Sequence, residues 1–124
     1  MAIVLWRCLV IVASIRCLYD VGPRVVVKEG EILVLECDCR SIPIGFYNGV
    51  NRHGEDCWVS TDIETGLALV RSKTFDRCLE DTKAMLMYKG IKAYRNMQKQ
   101  AQIKFSDIYK GEEWNREKQV NGFK

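Results

Sequence analysis

The pattern of apolar residues changes once along the chain, at Thr74, and this change decides the class of fold. Before Thr74, β-branched residues are frequent and apolar residues alternate with polar ones, as strands require. After Thr74, residues at helical spacing share one face, namely Phe75, Leu79, Thr82, Leu86, Gly90, Ala93 and Met97. We therefore predict an α+β fold, in which an antiparallel sheet of about five to six strands packs on one long C-terminal helix.

The predicted helix begins after Thr74, whose side chain can cap it, and runs to about Ile103. Gly90 lies on the predicted inward face. Two readings of this glycine are open: it bends the helix, or it allows close packing against the sheet. The remaining residues, from Ser106 onward, predict a short second helix or a docked tail.

The strands are predicted from β-rich runs between turn residues. Residues 24–28 and 31–37 flank Glu29-Gly30, which predicts a tight hairpin. Residues 40–43 are predicted to be a loop, and residues 45–50 a strand that ends in a turn at Asn48-Gly49. Residues 67–73 form a return strand after a turn at Thr65-Gly66.

Residues 57–64 alternate most regularly. We predict that successive side chains there point to opposite faces of the sheet. One face then carries Cys57, Val59, Thr61 and Ile63, and the other carries Trp58, Ser60, Asp62 and Glu64.

The first nineteen residues are strongly apolar, but two arginines interrupt them. The charge-free piece between Arg7 and Arg16 is too short to cross a membrane as a helix. A signal peptide places its positive charge before the apolar run, and here six residues precede Arg7. The β-branched composition favours one long or two short buried strands, with a targeting segment as the alternative.

The length of 124 residues is typical of one domain, which we assign to residues 1–124. Its parts are a β-rich region (1–73), a long amphipathic helix (74–104) and a short helix or tail (105–124). Six cysteines are compatible with three disulfides, yet their spacing is unlike that of small secreted domains. We therefore expect reduced thiols and a cytoplasmic location in a host cell.

The residues offer little for catalysis, so we predict that the chain is not an enzyme. His53 is the only histidine and lies in a polar loop. Two metal sites are conceivable: zinc on Cys37, Cys39, His53 and Cys57, and Mg²⁺ on Asp62 with Glu64. We instead expect Asp62 and Glu64 on a solvated face near the Thr65-Gly66 turn, His53 at the surface, Cys37 in the core and Cys39 in a loop. We expect no cofactor and no metal.

Charge is concentrated on the predicted helix. Residues 82–106 contain six basic residues and no acidic one, whereas the whole chain has a net charge of +3. Lys92, Arg95 and Lys99 cluster on a face opposite Leu86, Ala93 and Met97, with Lys89 beside them, and no acid lies three or four residues away. These four basic residues are the predicted binding site for an acidic protein or for phosphates. The alternative is that they form an ordinary solvated face of the helix.

A resemblance to known families rests on residues 58–86, which read WVSTDIETGLALVRSKTFDRCLEDTKAML. This run resembles a strand–turn–strand–helix unit of small phage-encoded accessory proteins and is similar to HicB-type antitoxin domains. Gly66 corresponds to their turn glycine and Thr74 to their helix entry, while Ser72 stands where their pattern has glycine. Residues 16–37 also resemble a small Src-homology-type barrel, with Lys28-Glu29-Gly30-Glu31 at a hairpin turn.

The resemblance implies a mobile-element origin and carries no catalytic residue. The function we predict is that of a non-enzymatic binding protein that inhibits or modulates a larger host protein or ribonucleoprotein complex, such as a CRISPR effector. The alternative is an antitoxin-like regulator that binds nucleic acid through the basic helix. We expect no membrane partner and leave open whether the chain forms a homodimer.

Overall fold

The computed structural model describes residues 4–19, 24–37 and 40–118, with the side chains of residues 13–19, 24–37 and 40–115. Within them, five antiparallel strands form a sheet in chain order. The strands are β1 Val4–Tyr19, β2 Arg24–Cys37, β3 Arg40–Val50, β4 Asp56–Asp62 and β5 Ala68–Ser72. The helices α1 Phe75–Lys104, α2 Ser106–Lys110 and α3 Glu112–Lys118 follow. The predicted α+β fold, an open antiparallel sheet on a long helix, is confirmed.

The apolar N-terminal segment forms one long strand. β1 pairs with β2 from Val4 opposite Cys37 to Tyr19 opposite Arg24, with a register shift between Trp6 and Val10. The strand reading of this segment is therefore confirmed. The glycine and proline of residues 21–23 predict a turn after this strand, and those residues lie outside the described part of the chain.

The predicted hairpin at Glu29-Gly30 is wrong, because β2 passes through these residues without a turn. Gly30 is paired with Ala13 inside the ladder. A Cβ atom on Gly30 would collide with the carbonyl oxygen of Phe46 in β3. This glycine thus allows two strands to approach closely, a role that local turn propensity does not distinguish from a turn.

The boundaries of β3 also differ from the prediction. Residues 40–43 are part of the strand rather than a loop, and Pro43 lies opposite Val34. The strand continues past Asn48-Gly49 to Val50. The turn comes later, where the Asn51 side chain accepts hydrogen bonds from the backbone N–H groups of His53 (2.8 Å) and Glu55 (3.0 Å).

The sheet curls on itself, so both of its faces are buried. One face carries a cluster that packs on α1 and includes Leu33, Leu35, Ile44 and Phe46. The other face carries a cluster drawn only from strands and the β4–β5 turn: Ile15, Cys17, Ile32, Tyr47, Cys57, Val59 and Ile63. The curl brings the end of β1 to that turn, where the Leu18 N–H donates to the Gly66 carbonyl at 2.8 Å.

The alternation predicted for β4 is confirmed. Cys57, Val59 and Ile63 belong to the cluster inside the curl. Trp58 lies on the helix side, where its ring meets that of Phe75 edge-on at 5.2 Å between centroids. This phase determines which β4 side chains face α1.

The start of α1 also agrees with the prediction. The Thr74 hydroxyl accepts a hydrogen bond from the Arg77 N–H at 3.2 Å, as an N-cap residue does. About two turns further on, the Thr82 hydroxyl donates a hydrogen bond to the Ser60 hydroxyl of β4 at 2.8 Å. The first half of α1 is therefore capped at its beginning and hydrogen-bonded to the sheet near its middle.

Candidate functional site: a basic cleft at the kink of α1

Gly90 divides α1 into two helical segments. Its backbone has φ 83° and ψ 159°, a combination that is essentially restricted to glycine. A Cβ atom at Gly90 would meet no atom within 4 Å. The bend is therefore confirmed, and the alternative of close packing against the sheet is wrong. Because a new helical segment begins after Gly90, its dipole places partial positive charge at the kink.

The inward face changes after the kink, which corrects the predicted helical phase. Leu79, Thr82 and Leu86 are buried as predicted, but Ala93 is exposed and Met97 is only partly buried. The buried residues of the second segment are Tyr94, Gln98 and Ala101. The break at Gly90 lets the second segment present a face that a straight helix would not.

All four predicted binding residues line one shallow cavity at this kink. Its volume is about 610 Å³, and it is lined by Lys89, Lys92, Ala93, Arg95, Asn96 and Lys99. We call this surface the basic cleft. Apart from Ala93, its lining consists of four cations and one amide, so it suits an anionic group.

The cations of the basic cleft differ in how they are held. The Arg95 guanidinium lies 3.2 Å from a carboxylate oxygen of Glu64 and donates to the Gln98 side-chain oxygen at 2.8 Å. Within the described residues, no ion pair or hydrogen bond involves the ammonium groups of Lys89, Lys92 or Lys99. No acid of the helix lies three or four residues from these cations, as predicted, but the fold brings Glu64 to Arg95 from the β4–β5 turn.

Beneath the basic cleft lies a buried carboxylate that the sequence analysis placed on a solvated face. The Asp62 side chain is completely buried. One oxygen accepts from the Tyr94 hydroxyl (2.7 Å) and the Gln98 amide (3.0 Å). The other accepts from the N–H (3.0 Å) and hydroxyl (2.7 Å) of Thr65. This Asp62 network satisfies a buried charge through hydrogen bonds, as a buried carboxylate requires.

The Asp62 network also connects the sheet to the basic cleft. Gln98 donates to Asp62 with its amide nitrogen and accepts from Arg95 with its amide oxygen. Burial and the nearby Asp62 charge raise the pKa of Tyr94, so its hydroxyl stays protonated and donates. Arg95 is therefore oriented by a chain of contacts that begins in β4.

A sequence signal for this network existed in the alternation of β4. Asp62 shares its face with Trp58 and Ser60, and that face meets α1. The alternation correctly predicts the shared face, but the expectation of a solvated face near the turn is wrong. The partners Tyr94 and Gln98 do not follow from the sequence, because the predicted inward face keeps one helical phase through Gly90.

The C-terminal helices pack beside the same turn. The Tyr109 hydroxyl donates to the Thr65 carbonyl at 2.6 Å. The guanidinium of Arg16 lies 3.8 Å from the centre of the Trp114 ring and donates to the Trp114 carbonyl at 3.2 Å. α2 thus holds the turn that carries Glu64 and Thr65, and α3 holds the end of β1 beside it.

The two alternative metal sites are not formed by the described residues. His53 is exposed, whereas Cys37 and Cys57 are buried in clusters on opposite faces of the sheet. Cys39 lies outside the described residues. Glu64 is exposed and pairs with Arg95, while protein donors engage both oxygens of Asp62. The described part of the chain contains no group of three or more metal-ligating side chains.

A comparison with protein-family models found no match, and neither did comparisons with curated proteins and with solved structures. The resemblance of residues 58–86 to HicB-type antitoxin domains therefore stays a prediction. Among the described residues, the helices contain no segment long and apolar enough to cross a membrane.

Proposed function

We propose that the chain is a non-enzymatic binding protein that docks an anionic surface of a larger host protein or ribonucleoprotein complex in its basic cleft. The observation that supports this most is that Lys89, Lys92, Arg95 and Lys99 line a single cavity. Modulation of such a complex by a mobile-element protein would fit the resemblance of residues 58–86.

The electrostatics of the basic cleft support an anionic partner. Three ammonium groups have no acidic partner among the described residues, so their positive potential is available at the surface. Charges within one Debye length, about 8–10 Å at physiological salt, reinforce each other in attracting an anion. Such a patch steers association and fixes register more than it adds affinity.

The contacts that hold Arg95 in the basic cleft favour a preorganised site over a solvated face. Arg95 is held by Gln98 and Glu64, and Gln98 is held in turn by the buried Asp62. Groups held in place before binding lose less conformational entropy on binding. A lysine-rich solvated face has no need for such a chain of contacts.

Direct binding of single-stranded nucleic acid is the second candidate, and one residue favours it. Tyr88 is 97% exposed and immediately precedes Lys89 of the basic cleft. An exposed aromatic ring beside cations is the combination on which unstacked bases bind. Phosphates would then occupy the basic cleft while a base stacks on Tyr88.

The experiment compares three polyanions: heparin, poly-glutamate and a single-stranded 20-nucleotide DNA. We expect the wild-type chain to bind heparin with an affinity that falls steeply with salt. The variant Lys92→Glu/Arg95→Glu/Lys99→Glu should bind at least roughly tenfold more weakly and associate more slowly. The matched control Arg52→Glu/Lys73→Glu/Lys110→Glu reverses the same number of exposed charges outside the basic cleft.

Equal losses of affinity in both triple variants would show that net charge alone causes binding, and the site assignment would fail.

The measurement with DNA separates the two candidate functions. If DNA binds more tightly than poly-glutamate and Tyr88→Ala weakens DNA alone, the nucleic-acid candidate replaces the protein partner. If Tyr88→Ala changes neither affinity, the protein partner is favoured.

A further inference from the structure

A second cavity, separate from the basic cleft, lies where the end of β1 approaches the β4–β5 turn. Its volume is about 430 Å³, and its walls come from the end of β1, from β3 and from the β4–β5 hairpin. We call it the mouth pocket. The residues that matter for its chemistry are Cys17, Tyr19, Tyr47, Val50, Leu67 and Arg71. This volume falls in the range of about 300–1,000 Å³ that is typical of small-molecule sites.

Most of the mouth pocket is apolar or aromatic. Tyr47 and Cys17 are buried and belong to the cluster inside the curl, and Tyr19 packs against that cluster. Val50 is 60% exposed, although it is a large apolar residue at the end of a strand. The partly buried Tyr19 ring, the edge of the largely buried Tyr47 and the exposed Val50 therefore give the cavity an apolar lining.

Arg71 places one cation at the edge of this apolar surface. It lies opposite Val59 in the β4–β5 ladder, and Val59 lies opposite Tyr47 in the β3–β4 ladder. Cross-strand partners share a face, so Arg71 belongs to the face that lines the pocket. Arg71 is exposed, and no hydrogen bond or ion pair among the described residues engages its guanidinium.

The base of the mouth pocket carries no competing negative charge at neutral pH. Burial raises the pKa of the Cys17 thiol to about 11, so the thiol is protonated. Burial also raises the pKa of the neighbouring Tyr47 hydroxyl. The nearest formal charge that a bound molecule would meet in the lining is therefore the positive charge of Arg71.

We propose that the mouth pocket binds a small amphipathic organic anion, with its aromatic or branched hydrocarbon body against Tyr19, Tyr47 and Val50 and its carboxylate or sulfonate on Arg71. The ligand class follows from the combination of an apolar cavity with a cation in its lining, and the Arg24 guanidinium, 5.2 Å from the centre of the Tyr19 ring, adds positive charge beside it. Arg is suited to this role because its planar guanidinium donates two parallel hydrogen bonds to such groups. This site is independent of the partner that the basic cleft binds.

Two fluorescent probes with the same ring system test the proposal on the full-length chain. 8-Anilinonaphthalene-1-sulfonate carries the anion, and N-phenyl-1-naphthylamine lacks it. We expect the sulfonate probe to bind the wild-type chain, and Arg71→Gln to weaken it roughly tenfold, because a charge-assisted hydrogen bond is lost. The neutral probe should bind wild type and Arg71→Gln alike. Val50→Trp, at an exposed strand end, should fill the pocket and remove both probes.

Matched variants locate the effect. Arg52→Gln removes an exposed arginine of the β3–β4 turn, and Lys92→Gln removes a cation of the basic cleft. Neither should change the affinity of either probe, and both should show the same cooperative urea unfolding as Arg71→Gln. The proposal is overturned if Arg71→Gln binds the sulfonate probe as tightly as wild type does. It is also overturned if Lys92→Gln causes the same loss, or if Val50→Trp leaves binding intact.

Discussion

The two halves of α1 are attached to the sheet by different kinds of contact. Residues 75–89 pack through apolar side chains, with Leu79 and Leu86 in the cluster around Phe46. Residues 91–104 also make apolar contacts, through Ile91, Met97 and Ala101, but they add the Asp62 network, in which Tyr94 and Gln98 hydrogen-bond to one buried carboxylate. The first half therefore relies mainly on hydrophobic burial, with one buried hydrogen bond from Thr82 to Ser60. The second half depends in addition on the geometry of several hydrogen bonds to a charged group.

Most of the basic cleft lies on the second half, and only Lys89 belongs to the first. A polar network leaves few alternative positions, because shifting the helix would leave a buried charge without partners. The helical segment that carries Lys92, Arg95 and Lys99 is thereby positioned relative to the sheet. Apolar burial thus attaches α1 to the sheet, while the buried carboxylate sets the position of its second half.

The largest effect is expected in the apolar half. Leu86→Ala should lower the free energy of unfolding by about 2–5 kcal/mol, because Leu86 is fully buried and its removal leaves a cavity. Met97→Ala, in the half-buried position that a straight helix would place inward, should cost less. Urea unfolding of both variants measures the difference. If Met97→Ala lowers the free energy of unfolding more than Leu86→Ala does, the inward face keeps the phase of a straight helix through Gly90.

The polar half is tested by Tyr94→Phe. Removing the hydroxyl takes one donor from the buried Asp62, so unfolding should become easier by about 1.5–3 kcal/mol, as for hydrogen bonds to charged groups. Tyr88→Phe changes the same atom on an exposed ring and should stay within about 0.5 kcal/mol. Equal, small effects in the two variants would mean that the hydroxyl of Tyr94 does not support a charged Asp62.

The boundary between the halves is tested by Gly90→Ala. An alanine at φ 83° and ψ 159° is strained, and we expect a loss of about 1–3 kcal/mol, measured by urea unfolding. Ala84→Gly, at an exposed position in the apolar half, calibrates helix propensity alone at roughly 0.5–1 kcal/mol. If Gly90→Ala stabilises the chain, α1 straightens readily and the kink does not set the position of the basic cleft.

The smallest effect concerns the start of the apolar half. Thr74→Ala removes the cap on the Arg77 N–H and should cost about 1 kcal/mol. Thr74→Ser keeps a hydroxyl acceptor and should retain most of this stability. Thermal or urea unfolding of the pair provides the measurement. Identical losses would indicate that the methyl group of Thr74, rather than its hydroxyl, matters.

Much of the fold could be predicted because its signals are local. The alternation of β4 gave the correct faces for Cys57, Val59 and Trp58. The change of period at Thr74 predicts the helix start, and the lone glycine at Gly90 makes a bend one of two interpretations. These features depend on the steric preferences of neighbouring residues, so a short stretch of sequence contains them.

The errors have a common cause in contacts between distant residues. Gly30 was interpreted as a turn residue, but the carbonyl of Phe46 in the next strand explains the need for glycine. Asp62 was interpreted as solvated, but Tyr94 and Gln98 lie thirty-two and thirty-six residues further along the chain. Rules based on the propensities of neighbouring residues do not include partners that lie so far away in the sequence.

The candidate site shows the same division. The sequence shows that basic residues concentrate in 82–106 and that Lys89, Lys92, Arg95 and Lys99 recur within three turns of a helix. The break of this helix at Gly90 and the contacts of Glu64 and Gln98 with Arg95 are visible only in the folded chain. Charge belongs to each residue separately, whereas the direction of a side chain depends on partners that folding brings together.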